Sequence, residues 1–162
     1  MEAVTYTCKG SRYEVVPITD VADIEVDIVE VLDAIADVDV DEYKATMQVC
    51  IDQGLAFRVL VNGSKTGFVY AYMDEYKYIG ASVWLPGDIV STVVGLSRIF
   101  DQVDVHKMLV SPHTGGLGNF VSMATGQSIR AYHTADKPIS ILRDVVVKKG
   151  SRMFRYLGVE NG

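Results

Sequence analysis

The chain has 162 residues, of which 49% are hydrophobic and 22% charged, and its formal net charge at pH 7 is −6. This composition is typical of a globular domain, and no apolar run approaches the ~18 residues that a membrane-spanning helix needs. The acidic balance argues against a broad contact with nucleic-acid phosphates. We therefore expect a single domain over residues 1–162 that binds neither a membrane nor a nucleic acid.

The first third of the chain predicts one strand and two helices. Residues 12–18 alternate weakly between apolar and polar side chains and predict a strand. Apolar residues at helical spacing then predict an amphipathic helix over residues 21–36, whose acidic residues mostly occupy the other face. A second helix is predicted to begin after Asp39 or Asp41, either of which can cap it, and to end near Gly54.

Three strands follow in the middle of the chain. Residues 55–61 and 66–73 predict two strands, and the Asn-Gly pair within residues 62–65 is a strong signal for a hairpin between them. A third strand is predicted over residues 78–85. It ends at a Pro-Gly-Asp sequence, which breaks the strand and provides a helix cap.

The rest of the chain predicts alternating helices and strands. A helix is predicted over residues 88–100, followed by strands over 103–110, 139–147 and 152–159. There is no internal repeat and no linker-like segment. This order of elements predicts a single α/β or α+β domain.

The segment 110–119 carries the strongest functional signal. It is rich in glycine and lies between the strand predicted over 103–110 and a possible helix over 120–132. Such a turn exposes backbone N–H groups that have no partner within the helix, and these groups suit a phosphate or another anion. An ordinary Pro/Gly turn explains the same residues equally well.

The charge distribution and the histidines add weaker signals. Ten acidic side chains lie between Asp20 and Glu42, whereas the balance is basic from Arg130 onward. This asymmetry can steer an anionic ligand, although charges of this kind commonly form a solvated face. The three histidines are too scattered in the sequence to indicate a metal site.

These elements and motifs resemble the GNAT (N-acetyltransferase) superfamily. The opening strand, paired helices and Asn-Gly hairpin follow the usual N-terminal order of that family. Val110-x-Pro112 followed by Gly116-x-Gly118 resembles its acyl-CoA pyrophosphate loop, and Met153–Val159 is similar to its aromatic segment near the C-terminus. The resemblance implies an α+β domain with a mixed, mostly antiparallel sheet flanked by helices. It also implies transfer of an acyl group from acetyl-CoA, or another acyl-CoA, to an amine acceptor.

The resemblance assigns a cofactor-binding role to five residues when Val110-x-Pro112 is aligned with the family loop. In this first register, Leu109 and Val110 would contact the pantetheine arm, while Gly116, Gly118 and Asn119 would hold the pyrophosphate. The thioester carbonyl would lie beside a splayed central strand, whose free N–H groups polarise it.

Two residues are candidates for proton transfer. His106 follows Asp104 by two positions, so both side chains share one face of a strand, and His106 could deprotonate the amine. A structural histidine satisfied by neighbouring backbone is the competing interpretation. The tyrosine that the family often uses as general acid falls on Phe154, which leaves Tyr156 as the candidate acid.

The sequence departs from the family at several positions, and a second register is open. The Arg or Gln of the family loop falls on Gly115, and its small residue falls on Phe120. In the second register, residues 78–85 are the central strand and residues 89–100 the helix after it. His106 and the loop 111–119 are then assigned to the next unit of the family fold, the splayed strand and the loop that follows it. This register has the better count of elements but no glycine-rich phosphate motif.

The departures favour a competing, non-enzymatic function. Short phage-encoded GNAT-like proteins have similarly degenerate loops, so the chain could be an accessory or virion protein that acts through contacts with a partner protein or a second copy. A third interpretation is an unrelated α+β binding domain that shares only the order of elements.

The cysteines and the N-terminal sequence bear on location. Cys8 and Cys50 show no metal or redox spacing, and Cys50 lies on an apolar helix face that is expected to be core. The N-terminal residues lack the basic and apolar regions of a secretory signal. We expect a cytoplasmic protein, located in the host cytoplasm or the virion if it is phage-encoded.

Overall fold

The computed structural model describes residues 2–34, 39–73, 79–84, 89–103, 107–110, 139–142 and 152–161. Its strands are β1 (Val4–Cys8), β2 (Ser11–Pro17), β3 (Ala56–Val61), β4 (Ser64–Met73), β5 (Ile79–Trp84), β6 (Lys107–Val110), β7 (Ile139–Leu142) and β8 (Val159–Asn161). Its helices are a 3-10 turn (Val21–Ile24), α1 (Glu25–Ala34), α2 (Val40–Asp52), α3 (Ile89–Gln102) and α4 (Arg152–Leu157).

The described strands form one sheet in the order β7-β6-β5-β4-β3-β2-β1-β8. Neighbouring strands are antiparallel throughout this order, except that β5 and β6 are parallel. The described residues therefore form a mixed α+β fold with a mostly antiparallel sheet, as the sequence predicts at this level of detail.

The Asn-Gly hairpin is confirmed, and its turn also braces the neighbouring strand. Asn62 and Gly63 have positive φ angles of 49° and 84°, which is the conformation that a tight two-residue hairpin turn requires. The Asn62 side chain accepts a hydrogen bond from the Arg12 N–H at 2.9 Å, and the Asn62 N–H donates to the Arg12 carbonyl at 2.8 Å. The turn between β3 and β4 is thus fixed to the start of β2.

The sheet separates two hydrophobic clusters, because successive side chains of a strand point to opposite faces. The residues of β3 illustrate this: Phe57 and Val59 lie in one cluster, whereas Ala56 lies in the other. Helices α3 and α4 cover the first cluster, and the 3-10 turn, α1 and α2 cover the second. The helical residues buried in the second cluster are Ile24, Ile28, Met47 and Cys50.

Helix boundaries follow the predicted caps in part. The helix predicted over 21–36 begins as a 3-10 turn, and the Asp20 carboxylate caps this turn by accepting a hydrogen bond from the Ala22 N–H. Of the two caps proposed for the second helix, Asp39 is the one used, and its carboxylate accepts from the Glu42 N–H at 3.0 Å. The possible helix over 120–132 lies outside the described residues.

Two predictions for the edge of the sheet need correction. Strand β1 is absent from the predicted elements, although it pairs with β2 along its whole length. The strand predicted over residues 152–159 is wrong, because Arg152–Leu157 forms helix α4. Phe154 and Leu157 are one helical turn apart, and both pack against the cluster under α3. Gly158, with a φ of 74°, ends the helix, and only Val159 onward forms a strand.

Helix α3 lies close against the sheet at Gly95. A Cβ atom at this position would lie 2.7 Å from Cγ1 of Val69, which is fully buried in β4. Valine has a stiff, branched side chain that cannot swing away from such a contact. The absence of a side chain at Gly95 therefore sets the distance between α3 and the sheet.

We predict that Gly95→Ala lowers the free energy of unfolding by about 1–3 kcal/mol, the usual cost of overpacking. The sign of this change in the free energy of unfolding is diagnostic, because in a helix without this contact alanine is more favourable than glycine by ~1 kcal/mol. Urea denaturation measures the change. The penalty should shrink in a Val69→Ala background, and an equal penalty in both backgrounds would contradict a direct clash.

Candidate functional site

The parallel pair β5–β6 is the feature that distinguishes this sheet from a simple antiparallel one. Gly80 pairs with Leu109 and Ala81 with Val110, and α3 lies between the two strands in sequence. Parallel strands need a crossover connection of this kind. The unit β5–α3–β6 therefore confirms a strand over 78–85 and a helix near 88–100, with slightly different bounds.

Strand β5 pairs with a neighbour on each of its two sides. On one side it pairs with β4 over its whole length, from Met73↔Ile79 to Phe68↔Trp84. Towards β6, the described pairs are Gly80↔Leu109 and Ala81↔Val110. Alternate N–H groups of a strand point to the same side, so β5 directs about half of its N–H groups towards β6.

Two of the predicted cofactor-binding residues lie in the described part of the chain. Leu109 and Val110 are in β6, where their backbone pairs with β5 on one side and with Ser140 and Ile139 of β7 on the other. The structure thus brings these two residues to the parallel pair. The other predicted cofactor residues and the candidate base are outside the described residues; they are His106, Gly116, Gly118 and Asn119.

The candidate acid Tyr156 lies in α4, which packs beside β1, and its side chain is outside the described part of the structure. Its neighbour Phe154 is 4% exposed and makes an edge-to-face contact with Tyr6 of β1, at 6.0 Å between ring centroids. Strands β2, β3 and β4 lie between β1 and β5, which places β1 roughly 19 Å from β5 at ~4.8 Å per strand. The sheet order separates α4 from the β5–β6 pair, and the role of Tyr156 stays a prediction.

A pair of tyrosines, one buried and one partly buried, lies beside β5 and was missed by the sequence analysis. The hydroxyl groups of the partly buried Tyr43 in α2 and the buried Tyr70 in β4 are 3.0 Å apart, and the backbone of Tyr70 pairs with Ser82. Burial, followed by the effect of the Tyr70 hydroxyl, raises the pKa of Tyr43 well above its usual value. The Tyr43 phenol is therefore neutral near pH 7 and meets Tyr70 as a hydrogen-bonding group without charge. The signal in the sequence was the helical spacing of Tyr43 with Met47 and Cys50, which places Tyr43 on the face of α2 that packs on the core.

An ion pair holds the 3-10 turn and α1 on the sheet. The Nη2 group of Arg58 in β3 donates to the Asp27 carboxylate at 2.6 Å and to the Asp23 carbonyl at 2.9 Å. The side chains are 9% and 22% exposed for Arg58 and Asp27, respectively. Because a buried cation without a counterion is strongly unfavourable, Asp27 is needed to keep Arg58 in this position.

The described residues give no indication of a metal site or a membrane span. Among them, no group of three or more His, Cys, Asp or Glu side chains is placed to hold a metal ion. None of the helices in the same ranges combines the length and apolar character needed to cross a membrane.

Comparison with known proteins finds no matching family model, no similar curated protein and no similar solved structure.

We predict that Asp27→Ala lowers the free energy of unfolding by about 2–4 kcal/mol. Breaking a buried ion pair costs about 3–5 kcal/mol, and the partial exposure of Asp27 reduces this. Asp23→Ala is the matched control, because only the backbone carbonyl of Asp23 contacts Arg58; it should cost less than about 0.5 kcal/mol. Equal losses in the two variants, measured by urea denaturation, would disprove the role of the carboxylate.

The buried Cys50 makes stability depend on pH in the alkaline range. Burial raises the pKa of its thiol from 9.0 to about 12. Between these two values the unfolded chain releases the thiol proton while the folded chain retains it. The free energy of unfolding should therefore be unaffected by this group below pH 9 and fall as pH rises towards 12, with a slope approaching about 1.4 kcal/mol per pH unit.

The Cys50→Ala variant should remove this component. Its free energy of unfolding, measured at a series of pH values, should fall less steeply above pH 9 than that of the wild type. The difference between the free energies of unfolding of the two proteins at pH 7 gives the cost of the cavity that the substitution leaves, and it serves as the baseline. Parallel pH curves for the two proteins would show that Cys50 makes no contribution.

Proposed function

We propose that the chain binds an acyl-CoA at the β5–β6 pair and transfers its acyl group to an amine. The observation that carries the proposal is the parallel pair within an otherwise antiparallel described sheet. It follows a strand, two helices and a hairpin, which is the order that the resemblance to the GNAT superfamily implies. A GNAT-like domain of this kind would occupy residues 1–162.

The strand directions support the second of the two registers. A strand–helix–strand unit normally gives a parallel pair, and β5–α3–β6 does so. In the first register, the strand at 103–110 would have its partner in the strand at 139–147 after the possible helix over 120–132. However, β6 and β7 are antiparallel. We therefore favour β5 as the central strand, with the phosphate groups near the loop that follows it.

The chemistry that the chain's own residues can provide is positioning and polarisation. A bound acyl-CoA supplies the acyl group as a thioester; the amine nitrogen forms the new amide bond, the C–S bond breaks, and CoA leaves as the thiol. The proposal requires that N–H groups of β5 on the β6 side donate to the thioester carbonyl, where negative charge develops. Orienting the two substrates contributes much of the rate of such a reaction.

The proposal assigns proton transfer to one residue. His106 immediately precedes β6 in sequence and stays the proposed base for the amine proton. Helix α4 lies near β1, so the proposal does not depend on Tyr156 as the acid.

The exposed valines favour a second candidate function, in which the chain acts through protein contacts. Val26 and Val29, one turn apart on α1, are 75% and 59% exposed, and Val40 and Val49 of α2 are about half exposed. The charged side chains near them are mainly acidic. The exposed pair Val26 and Val29 fits an accessory or virion protein, or a homo-oligomer, that has retained the scaffold without catalysis.

We predict micromolar binding of acetyl-CoA in an isothermal titration of the full chain. Gly87→Trp, shortly after β5 in the sequence, should weaken binding at least about tenfold, or 1.4 kcal/mol, because a large side chain would obstruct the proposed phosphate position. Gly118→Trp is the matched control, and the second register predicts no effect from it.

The reverse result, with loss of binding only in Gly118→Trp, would support the first register and its residues Gly116, Gly118 and Asn119. If neither acetyl-CoA nor a longer acyl-CoA binds at millimolar concentration, the acyltransferase proposal is wrong, and the protein-contact function is the better one.

A further inference from the structure

The turn between β3 and β4 contains a chemically reactive pair of residues that the proposed function does not use. Asn62 and Gly63 are both exposed, and a Cβ atom at Gly63 would meet no other atom within 4 Å. In an Asn-Gly pair, the backbone nitrogen of the glycine attacks the asparagine side chain with little steric hindrance, because glycine has no Cβ atom. The pair is therefore a candidate for spontaneous deamidation.

Deamidation of such a pair passes through a five-membered succinimide ring. The Gly63 nitrogen loses its proton and forms a bond to Cγ of Asn62, the bond between Cγ and Nδ2 breaks, and Nδ2 leaves as ammonia. A water molecule then opens the ring. Attack of water at Cγ gives aspartate, whereas attack at the backbone carbonyl gives iso-aspartate, whose main chain runs through Cβ and Cγ. The reaction consumes only water and involves no oxidation or reduction.

The folded turn holds the two reacting atoms apart. Asn62 has a φ of 49°, in the left-handed region, where ψ is about +30 to +60°. With this ψ, Cβ of Asn62 and the Gly63 nitrogen lie on nearly opposite sides of the Cα–C bond. The ring requires the two atoms on the same side of this bond. The succinimide therefore forms only after the backbone at Asn62 leaves the turn conformation.

Three contacts to the start of β2 oppose this change of conformation. The Asn62 side-chain oxygen accepts a hydrogen bond from the Arg12 N–H at 2.9 Å, and the Asn62 N–H donates to the Arg12 carbonyl at 2.8 Å. A longer contact joins Nδ2 of Asn62 to the Ser11 hydroxyl at 3.5 Å. Both the reactive amide group and the backbone of Asn62 are thus attached to the neighbouring strand.

We propose that Asn62 is a deamidation site controlled by opening of the β3–β4 turn. The closed turn protects it, and local opening exposes it to modification. An aspartate product keeps an oxygen that accepts from the Arg12 N–H. An iso-aspartate product lengthens the main chain of a two-residue turn, whose geometry is strictly defined, and prevents the turn from closing again. The site therefore converts a transient opening of the hairpin into a permanent change.

The test compares the native full chain with the same chain unfolded in urea, both incubated at the same mildly alkaline pH. Mass spectrometry of the peptide that contains Asn62 measures the conversion. We expect conversion in the native chain to be at least about tenfold slower, because opening breaks two or more hydrogen bonds of ordinary strength. The Asn62→Asp variant should show no conversion in this peptide, which identifies the modified residue.

A pair of variants separates local opening of the turn from unfolding of the whole chain. Thr66→Ala removes a hydrogen bond of 3.1 Å to the Val59 carbonyl, which joins β3 to β4 near the turn. It should raise the native rate roughly two- to tenfold, as expected for the loss of one hydrogen bond. Thr46→Ala is the matched control: it removes a bond of the same length to the Glu42 carbonyl within α2 and should leave the rate unchanged. Thermal unfolding shows that each variant is folded.

The proposal is overturned if Asn62 reacts at the same rate in the native and the unfolded chain, or if it reacts in neither. Equal acceleration by Thr66→Ala and Thr46→Ala would also overturn it, because the reaction would then depend on unfolding of the whole chain. The outcome of the acetyl-CoA titration has no bearing on this test.

Discussion

The burial of β3 and β4 between two helical layers is the constraint on which the rest of this structure depends. β3 contributes Phe57 and Val59 to the cluster beneath α3, and Ala56 to the cluster beneath α1 and α2. Each large apolar side chain that is buried in this way contributes about 1.5–3 kcal/mol. Both faces of the hairpin must therefore be covered, which fixes helices on each side of the sheet and leaves little freedom in their distance from it.

Two buried arginines show how the helical layers are attached to this hairpin. Arg58 holds α1 through Asp27 on one face. On the other face, Arg98 of α3 lies over the Phe57 ring at 5.3 Å from its centroid and donates to the Glu2 carbonyl at 3.2 Å. Within the described part of the chain, one nitrogen of each guanidinium has no hydrogen-bond partner. Buried polar groups of this kind cost free energy, so the two cations fix orientation more than they add stability.

Local sequence determined the elements whose signals are themselves local. The Asn62-Gly63 turn, the cap at Asp39 and the burial of Cys50 all follow from neighbouring residues, because turn conformation, capping and helical periodicity act over a few positions. Tertiary structure alone decided what depends on distant partners. A short segment such as 152–157 fits a strand or a helix, and its packing against Tyr6 favours the helix. Likewise, the parallel direction of β6 relative to β5 is decided only once these two strands are brought together in the sheet.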